Sequence, residues 1–272
     1  MNYDLIAIDI YGTLVTRSHI VSQPVFDAME RVKATGKKIV LCTGRPFPGA
    51  EPYMNELQLT KEGDYMITYH GALVQKTDTL ETVIHHELNY DDLMAWSELT
   101  AKVGSNMHAV RNDGVYTDLK DLDYHALIEP FVNNITLRIR EFDEIDRELP
   151  FSKFIMADDA DIIQKLEDTI PAEFRQKYTV VRSMENTIEV LNKEASKGQS
   201  LKELADHLGI PQERVIAIGD SGNDIDMVEY AGLGVAMGNA VPAVLNVADV
   251  VTDSVDNDGV ATAINRYFFG DE

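Results

Sequence analysis

Short apolar runs that end in polar and glycine residues recur along the first part of the chain. The first run, Leu5–Ile8, is followed directly by Asp9, a second covers Ile39–Cys42, and a third ends near Tyr69. Between the first two runs, apolar positions from Val25 to Val32 keep helical spacing. Alternation of short buried strands with helices predicts parallel βαβ units.

The same pattern returns in the last part of the chain. Apolar positions from Leu201 to Leu208 predict a helix closed by Gly209, and Val215–Ile218 predicts a strand that ends in "GDSGND". The segments "LGVAM" and "ADVVT" predict two further strands, and a last helix follows with apolar positions between Val260 and Phe268. These elements belong to the same kind of parallel sheet.

The pattern changes in the middle of the chain. Strands such as "NMHAV" and "YTVVR" mix there with helices near Leu93–Val103 and Ala160–Ile170, and these strands lack polar–glycine ends. We therefore predict an α/β protein with a doubly wound, Rossmann-like core and a parallel sheet. The core comprises residues 1–83 and 187–272, and an α+β cap domain, residues 84–186, is inserted into it.

Composition limits the partners of this protein. The 46 acidic residues outnumber the 24 basic ones, for a net charge of −22, so nucleic acid and anionic membranes are unlikely partners. Cys42 is the single cysteine, which rules out an intrachain disulfide and suits a reducing compartment. The first residues lack a basic segment, and no apolar run reaches the roughly 20 residues of a membrane span. We expect a cytoplasmic protein, and nothing in the sequence indicates its oligomeric state.

Four short segments carry the candidate chemistry. Residues 9–13, 43–45 and 219–224 each follow a predicted strand, and residues 196–198 open a predicted helix. The carboxyl ends of parallel strands share one edge of a sheet, so the first three segments can converge. Together the segments supply a carboxylate nucleophile, hydroxyl groups, turn amides, a lysine and carboxylates that suit Mg²⁺. This set favours phosphoryl chemistry.

The four segments resemble the four motifs of the haloacid dehalogenase superfamily. The whole chain resembles its Cof-type branch, phosphatases with a large α+β cap between the second and third motifs. The resemblance includes "TGRP", "GDSGNDIDM" and "AGLGVAMGNA". It implies a Mg²⁺-dependent phosphatase of small phosphorylated metabolites, with sugar phosphates as the favoured class.

The resemblance also implies roles for individual residues. Asp9 would attack phosphorus and form an aspartyl-phosphate, with Tyr11 and Lys197 as the other catalytic residues. The implied substrate-binding residues are Thr43, Gly44, Arg45, His70, Gly71 and Lys197. The implied metal-binding residues are Asp9, Asp220, Asn223, Asp224 and, through its main-chain carbonyl, Tyr11.

Two positions depart from the Cof-type pattern. Tyr11 stands where the phosphatases carry a second aspartate that protonates the leaving alcohol and then activates water. A phenol with a pKa near 10 is a poor base at neutral pH, and loss of a general acid/base commonly costs about 10²–10⁴ in rate. His70 stands where asparagine is usual, and it is either a phosphate contact or a structural residue at the end of a strand.

Two alternative functions remain. The haloacid dehalogenases themselves carry Asp-x-Tyr-Gly-Thr, attack carbon and need no metal, but the acidic "GDSGND" segment and the large cap favour the phosphatase. The chain could also bind phosphorylated ligands without turning them over, or trap the phosphoryl group on Asp9. Slow turnover with accumulating phospho-Asp9 would identify this last class.

Overall fold

The structure is a computed structural model and describes residues 3–271. The chain divides into two compact units, one that runs up to Ile84 and resumes at Ser196, and a second that comprises His85–Ala195. The sequence pattern places the return to the core at residue 187. In the structure Thr187–Asn192 is a strand of the second unit's sheet, paired on both sides, so the chain leaves this unit only after Ala195.

The secondary structure elements are numbered in chain order. The strands are β1 (Leu5–Asp9), β2 (Lys38–Cys42), β3 (Tyr65–Thr68), β4 (Leu73–Lys76), β5 (Thr82–His85), β6 (His108–Arg111), β7 (Gly114–Thr117), β8 (Leu137–Ile139), β9 (Lys153–Ala157), β10 (Tyr178–Met184), β11 (Thr187–Asn192), β12 (Val215–Gly219), β13 (Leu233–Ala236) and β14 (Val250–Val251). The α-helices are α1 (Gln23–Ala34), α2 (Phe47–Glu56), α3 (Tyr90–Val103), α4 (Tyr124–Val132), α5 (Ala160–Thr169), α6 (Ala172–Lys177), α7 (Lys197–Leu208), α8 (Ile225–Tyr230), α9 (Pro242–Val247) and α10 (Gly259–Ala263).

The first unit is built on a sheet with the order β14-β13-β12-β1-β2-β3-β4-β5. Neighbouring strands from β14 to β3 are parallel, and β4 runs antiparallel to β3. One core layer packs α1, α2 and α10 against the sheet, and another packs α7, α8 and α9. Helices on both faces of a largely parallel sheet confirm the predicted doubly wound α/β class.

Apolar spacing explains the helices that carry the site. In α1 the buried residues are Val25, Ala28, Met29 and Val32, which is the predicted stripe. Helix α7 ends at Gly209, whose φ of 67° is a left-handed conformation that glycine adopts without steric cost. The last predicted helix is divided into α10 and a π-helical segment, Ile264–Phe269.

The second unit has its own sheet and core. Its strand order is β10-β11-β9-β6-β7-β8, and the pairs are antiparallel except for β7 with β8. Trp96 of α3, the only tryptophan of the chain, is fully buried in this core with Phe154 of β9. Within residues 3–271, none of the helices combines the length and apolar character that crossing a bilayer requires.

Candidate active site

Asp9 is the last residue of β1 and lies almost fully buried in the first unit. Its Oδ1 accepts a hydrogen bond from Lys197 Nζ at 2.6 Å. Its Oδ2 is buried and has no hydrogen-bond partner among residues 3–271. A buried carboxylate oxygen without a donor is costly, so this atom is suited to a ligand that brings positive charge.

The end of β12 supplies two further carboxylates. Asp220 Oδ1 accepts a hydrogen bond from the Thr13 hydroxyl at 2.9 Å. Asp224 Oδ2 accepts from the main-chain N–H groups of Asp220 and Ser221, at 3.0 and 2.9 Å, which folds the loop tightly. Three carboxylate oxygens, one from each of Asp9, Asp220 and Asp224, lie within 4.8 Å of one another.

Lys197 holds this cluster together electrostatically. It is the first residue of α7, after Ser196, whose hydroxyl accepts a hydrogen bond from Gln199 N–H as the N-cap. Its Nζ donates to Asp9 and to Asp224 Oδ1, each at 2.6 Å, and its side chain is completely buried. Burial disfavours the ammonium, but the two carboxylates more than offset that effect and raise the pKa of Lys197.

One lysine does not neutralise three carboxylates. Burial raises the pKa of Asp9 to about 7; the Asp224 charge acts in the same direction, and Lys197 opposes both. Burial likewise raises the pKa of Asp220 to about 6, although the hydrogen bond from Thr13 lowers it. Additional positive charge would therefore favour the ionised forms of both groups.

The residues present fit a magnesium ion. Mg²⁺ prefers oxygen ligands, and the unpartnered Asp9 Oδ2 together with the neighbouring Asp220 carboxylate offers them. Both oxygens of Asp224 already accept hydrogen bonds from the chain, which suits a residue that orients the site as well as one that completes it. The Asn223 side chain is hydrogen-bonded to the Ser221 hydroxyl and to the His70 ring.

Tyr11 follows Asp9 by two residues, and its side chain has several partners. Its hydroxyl donates a hydrogen bond to the Gly49 carbonyl at 3.3 Å. The Arg45 guanidinium carbon lies 3.9 Å from the centroid of its ring. Burial raises the pKa of Tyr11 above its ordinary value, although the Arg45 charge acts in the opposite direction. The hydroxyl is therefore protonated throughout the physiological range. Whether the Tyr11 carbonyl ligates a metal stays a prediction.

The ends of β2 and β3 meet beside these residues. Thr43 is buried, and its hydroxyl accepts a hydrogen bond from the Arg45 N–H at 3.2 Å. The His70 ring lies directly against Gly44, where any Cβ would overlap it. A His70 ring nitrogen lies 3.1 Å from Asn223 Nδ2, so this side chain also connects to the loop after β12.

Gly71 ends the turn that follows β3 and fixes the approach of α7. A Cβ on Gly71 would overlap the Ser196 carbonyl, and its φ of 96° favours glycine in any case. The Ser200 hydroxyl of α7 donates to the Gly71 carbonyl. Gly71 thus determines where the N-terminus of α7, and with it Lys197, is located.

Two residues of the site escaped the sequence analysis. Asn239 Nδ2 donates to the Gly12 carbonyl at 2.8 Å and lies 3.4 Å from an Asp220 oxygen, while its Oδ1 accepts from Val255 N–H. Thr13 donates to Asp220. Asn239 lies in "AGLGVAMGNA" and Thr13 in the turn after β1. The sequence analysis identified both segments but assigned no role to these two residues.

Comparison with known proteins gives consistent matches along the chain. The model of the haloacid dehalogenase-like hydrolase family matches residues 6–264. YxeH of Bacillus subtilis (strain 168), named as a candidate phosphatase, is 44% identical over 264 residues, which cover 97% of this chain and 98% of that protein.

Two further matches are informative. YitU of the same organism, a 5-amino-6-(5-phospho-D-ribitylamino)uracil phosphatase, is 29% identical over 269 residues, 97% of each chain. Among solved structures, a haloacid dehalogenase-like hydrolase from Bacteroides thetaiotaomicron is similar, with a TM-score of 0.87 and 31% identity over 97% of this chain and 99% of that one.

Proposed function

The chain belongs to the haloacid dehalogenase-like hydrolases and is a phosphoric monoester hydrolase, and from that premise we propose that it acts on small phosphorylated metabolites with Mg²⁺, through an aspartyl-phosphate on Asp9. The observation that carries this proposal is the buried Asp9 carboxylate, held by Lys197 through one oxygen and unpartnered at the other. A buried carboxylate beside a fixed cation, with one oxygen left without a partner, supports a nucleophilic role for Asp9.

The chemistry divides into two steps. An Asp9 oxygen attacks phosphorus, the bond between phosphorus and the ester oxygen breaks, and the alkoxide takes a proton from solvent water and leaves as the alcohol. Water then attacks phosphorus and releases a proton to solvent, the bond between phosphorus and Asp9 breaks, inorganic phosphate leaves, and the Asp9 carboxylate is restored. Thr43 and Lys197 would bind phosphoryl oxygens during both steps.

Asp9 and Asp220 are the residues that would hold Mg²⁺, with Asp224 completing or orienting the set. Bound there, the ion supplies positive charge to the phosphoryl group and its carboxylate surroundings. Lys197 contributes fixed positive charge at the same place. In a chain of net charge −22, these groups and Arg45 offset the repulsion of an anionic substrate.

Sugar phosphates and related polyol phosphates are the proposed substrate class. The named substrate of YitU carries its phosphate on a ribityl chain, and YitU matches nearly the whole of this chain. A phosphate ester of a primary alcohol on a polyol is therefore the first type of compound to screen.

A second candidate function follows from Tyr11. Its hydroxyl is engaged by the Gly49 carbonyl and remains protonated, so the second step lacks a base at this position. The chain would then form the aspartyl-phosphate and release phosphate slowly, acting as a binder that traps a phosphoryl group.

The test is Mg²⁺-dependent hydrolysis of p-nitrophenyl phosphate by the chain and by its Tyr11→Asp and Tyr11→Asn variants. Asparagine matches aspartate in shape but cannot transfer a proton, so we expect an increase in kcat of about 10²–10⁴ for Tyr11→Asp alone. Equal rates for the two variants, or a chain that is already as fast as Tyr11→Asp, would refute the assignment of the missing base.

Intact-protein mass spectrometry after acid quenching detects phospho-Asp9, and its accumulation supports trapping. Calorimetry without substrate tests Mg²⁺ binding, which Asp220→Asn should abolish.

A further inference from the structure

The Tyr11 ring is held firmly by its neighbours in the first unit. Its hydroxyl donates to the Gly49 carbonyl, and its ring makes edge contacts with the His19 ring at 5.4 Å and the Tyr53 ring at 6.0 Å between centroids. His19 Nδ1 and the Tyr53 hydroxyl are themselves 3.1 Å apart. The ring therefore has a defined orientation, with the Arg45 guanidinium on one face.

Within residues 3–271, the Arg45 side chain contacts an aromatic ring but forms no ion pair with a carboxylate. Its main chain is fixed, because its N–H donates to the Thr43 hydroxyl and its carbonyl accepts from Tyr69 N–H. Among residues 3–271, however, no carboxylate or other acceptor is bonded to its guanidinium. In an acidic chain, a half-buried arginine two residues after Thr43, with its side-chain donors unused, is suited to an external anion.

The 3.9 Å separation is well within the range of a cation–π contact. A guanidinium over an aromatic face makes that contact without using its N–H donors, which lie in its own plane and can bind oxygen atoms in pairs. Tyrosine thus orients the guanidinium without neutralising it.

We propose that Tyr11 is a positioning residue whose ring holds the Arg45 guanidinium as a binding group for the anionic oxygens of the phosphorylated substrate. The proposal rests on the proposed function, since it concerns the same site and its phosphate ligand. It gives the side chain at position 11 a role that depends on its aromatic face and not on its hydroxyl.

The test measures the Kd of inorganic phosphate by calorimetry in excess Mg²⁺, with three variants of different shape. Tyr11→Phe keeps the aromatic face and loses the hydroxyl, so its Kd should stay within twofold of the original. Tyr11→Leu loses the aromatic face, and its Kd should rise about two- to fivefold, the usual strength of an exposed cation–π contact. Arg45→Ala should weaken binding at least as much.

A double-mutant cycle separates positioning from general damage. In the Arg45→Ala background, replacing Tyr11 by Leu should have no further effect on the Kd, because the contact is already absent. A Kd that rises equally in both backgrounds, or that rises as much for Tyr11→Phe as for Tyr11→Leu, would overturn the proposal. Thermal melts verify that each variant is folded. If the unmodified chain binds no phosphate, the proposed function itself fails. If it binds phosphate with a Kd that does not depend on the aromatic ring at position 11, only the present proposal fails.

Discussion

His108 provides a quantitative test of the second unit's energetics. It begins β6, it is fully buried, and neither of its ring nitrogens has a hydrogen-bond partner among residues 3–271. Burial lowers the pKa of His108 to about 4, with the Asp123 charge opposing the change. The His108 imidazole is therefore neutral in the folded chain at neutral pH.

The sign and size of the pH effect follow from proton linkage. In the unfolded chain a histidine has a pKa of about 6.5, so between pH 6.5 and pH 4 the unfolded chain binds the additional proton. Stability is retained above pH 6.5 and is lost as the pH falls toward 4. From the two pKa values of His108, the loss between pH 7 and pH 5 is about 2 kcal/mol. His85, whose pKa burial also lowers to about 4, acts in the same window.

The assay is urea unfolding monitored by the fluorescence of Trp96, because the chain's single tryptophan lies in the core of this unit. We expect His108→Met to remove about 2 kcal/mol of the pH dependence between pH 7 and pH 5. The exposed His207 of the first unit, replaced by Gln, is the matched control and should leave the dependence unchanged. If the unfolding free energy of His108→Met changes with pH as much as that of the original chain, the reasoning is refuted. Burial of the neutral His108 ring would then make no contribution to the pH dependence.

Three further substitutions test the first unit. Lys197→Met should abolish hydrolysis and lower the free energy of urea unfolding by about 3–5 kcal/mol, since it leaves buried carboxylates without their cation. Replacement of the exposed Lys202 by Met is the control. Equal unfolding free energies for the two variants would contradict this account. Gly71→Ala should lower the free energy of unfolding clearly more than Gly209→Ala does. Both glycines have positive φ, but only a Cβ at position 71 would overlap neighbouring backbone. Equal losses of unfolding free energy would show that the backbone moves to relieve this overlap. Asn239→Ala should weaken Mg²⁺ binding in calorimetry, and an unchanged affinity would show that its contacts with the Gly12 carbonyl and Asp220 are not needed for binding.

The site was predictable wherever polar residues follow a buried strand. Asp9, Thr43 and Asp220 come together because the carboxyl ends of parallel strands share one edge of the sheet, and the apolar runs identify those ends. Lys197 was predictable because it opens a helix with a clear N-cap at Ser196. Local pattern and sheet topology suffice for such positions.

The rest depends on contacts between distant residues. The hydroxyl of Tyr11 bonds to Gly49, 38 residues away, and no spacing rule indicates that pairing. Helix α4 was missed because it contains Pro130 and its apolar side chains are not confined to a buried stripe, with Leu127 and Phe131 exposed. Strand β11 has the same apolar character as a core strand, and only its pairing with β9 and β10 shows that it belongs to the second unit.

Cys42 has a practical consequence. It lies fully buried in β2, and burial raises the pKa of its thiol, so it reacts poorly with reagents that require a thiolate. The native chain therefore has little background in thiol labelling, and cysteines introduced at exposed positions can be modified selectively.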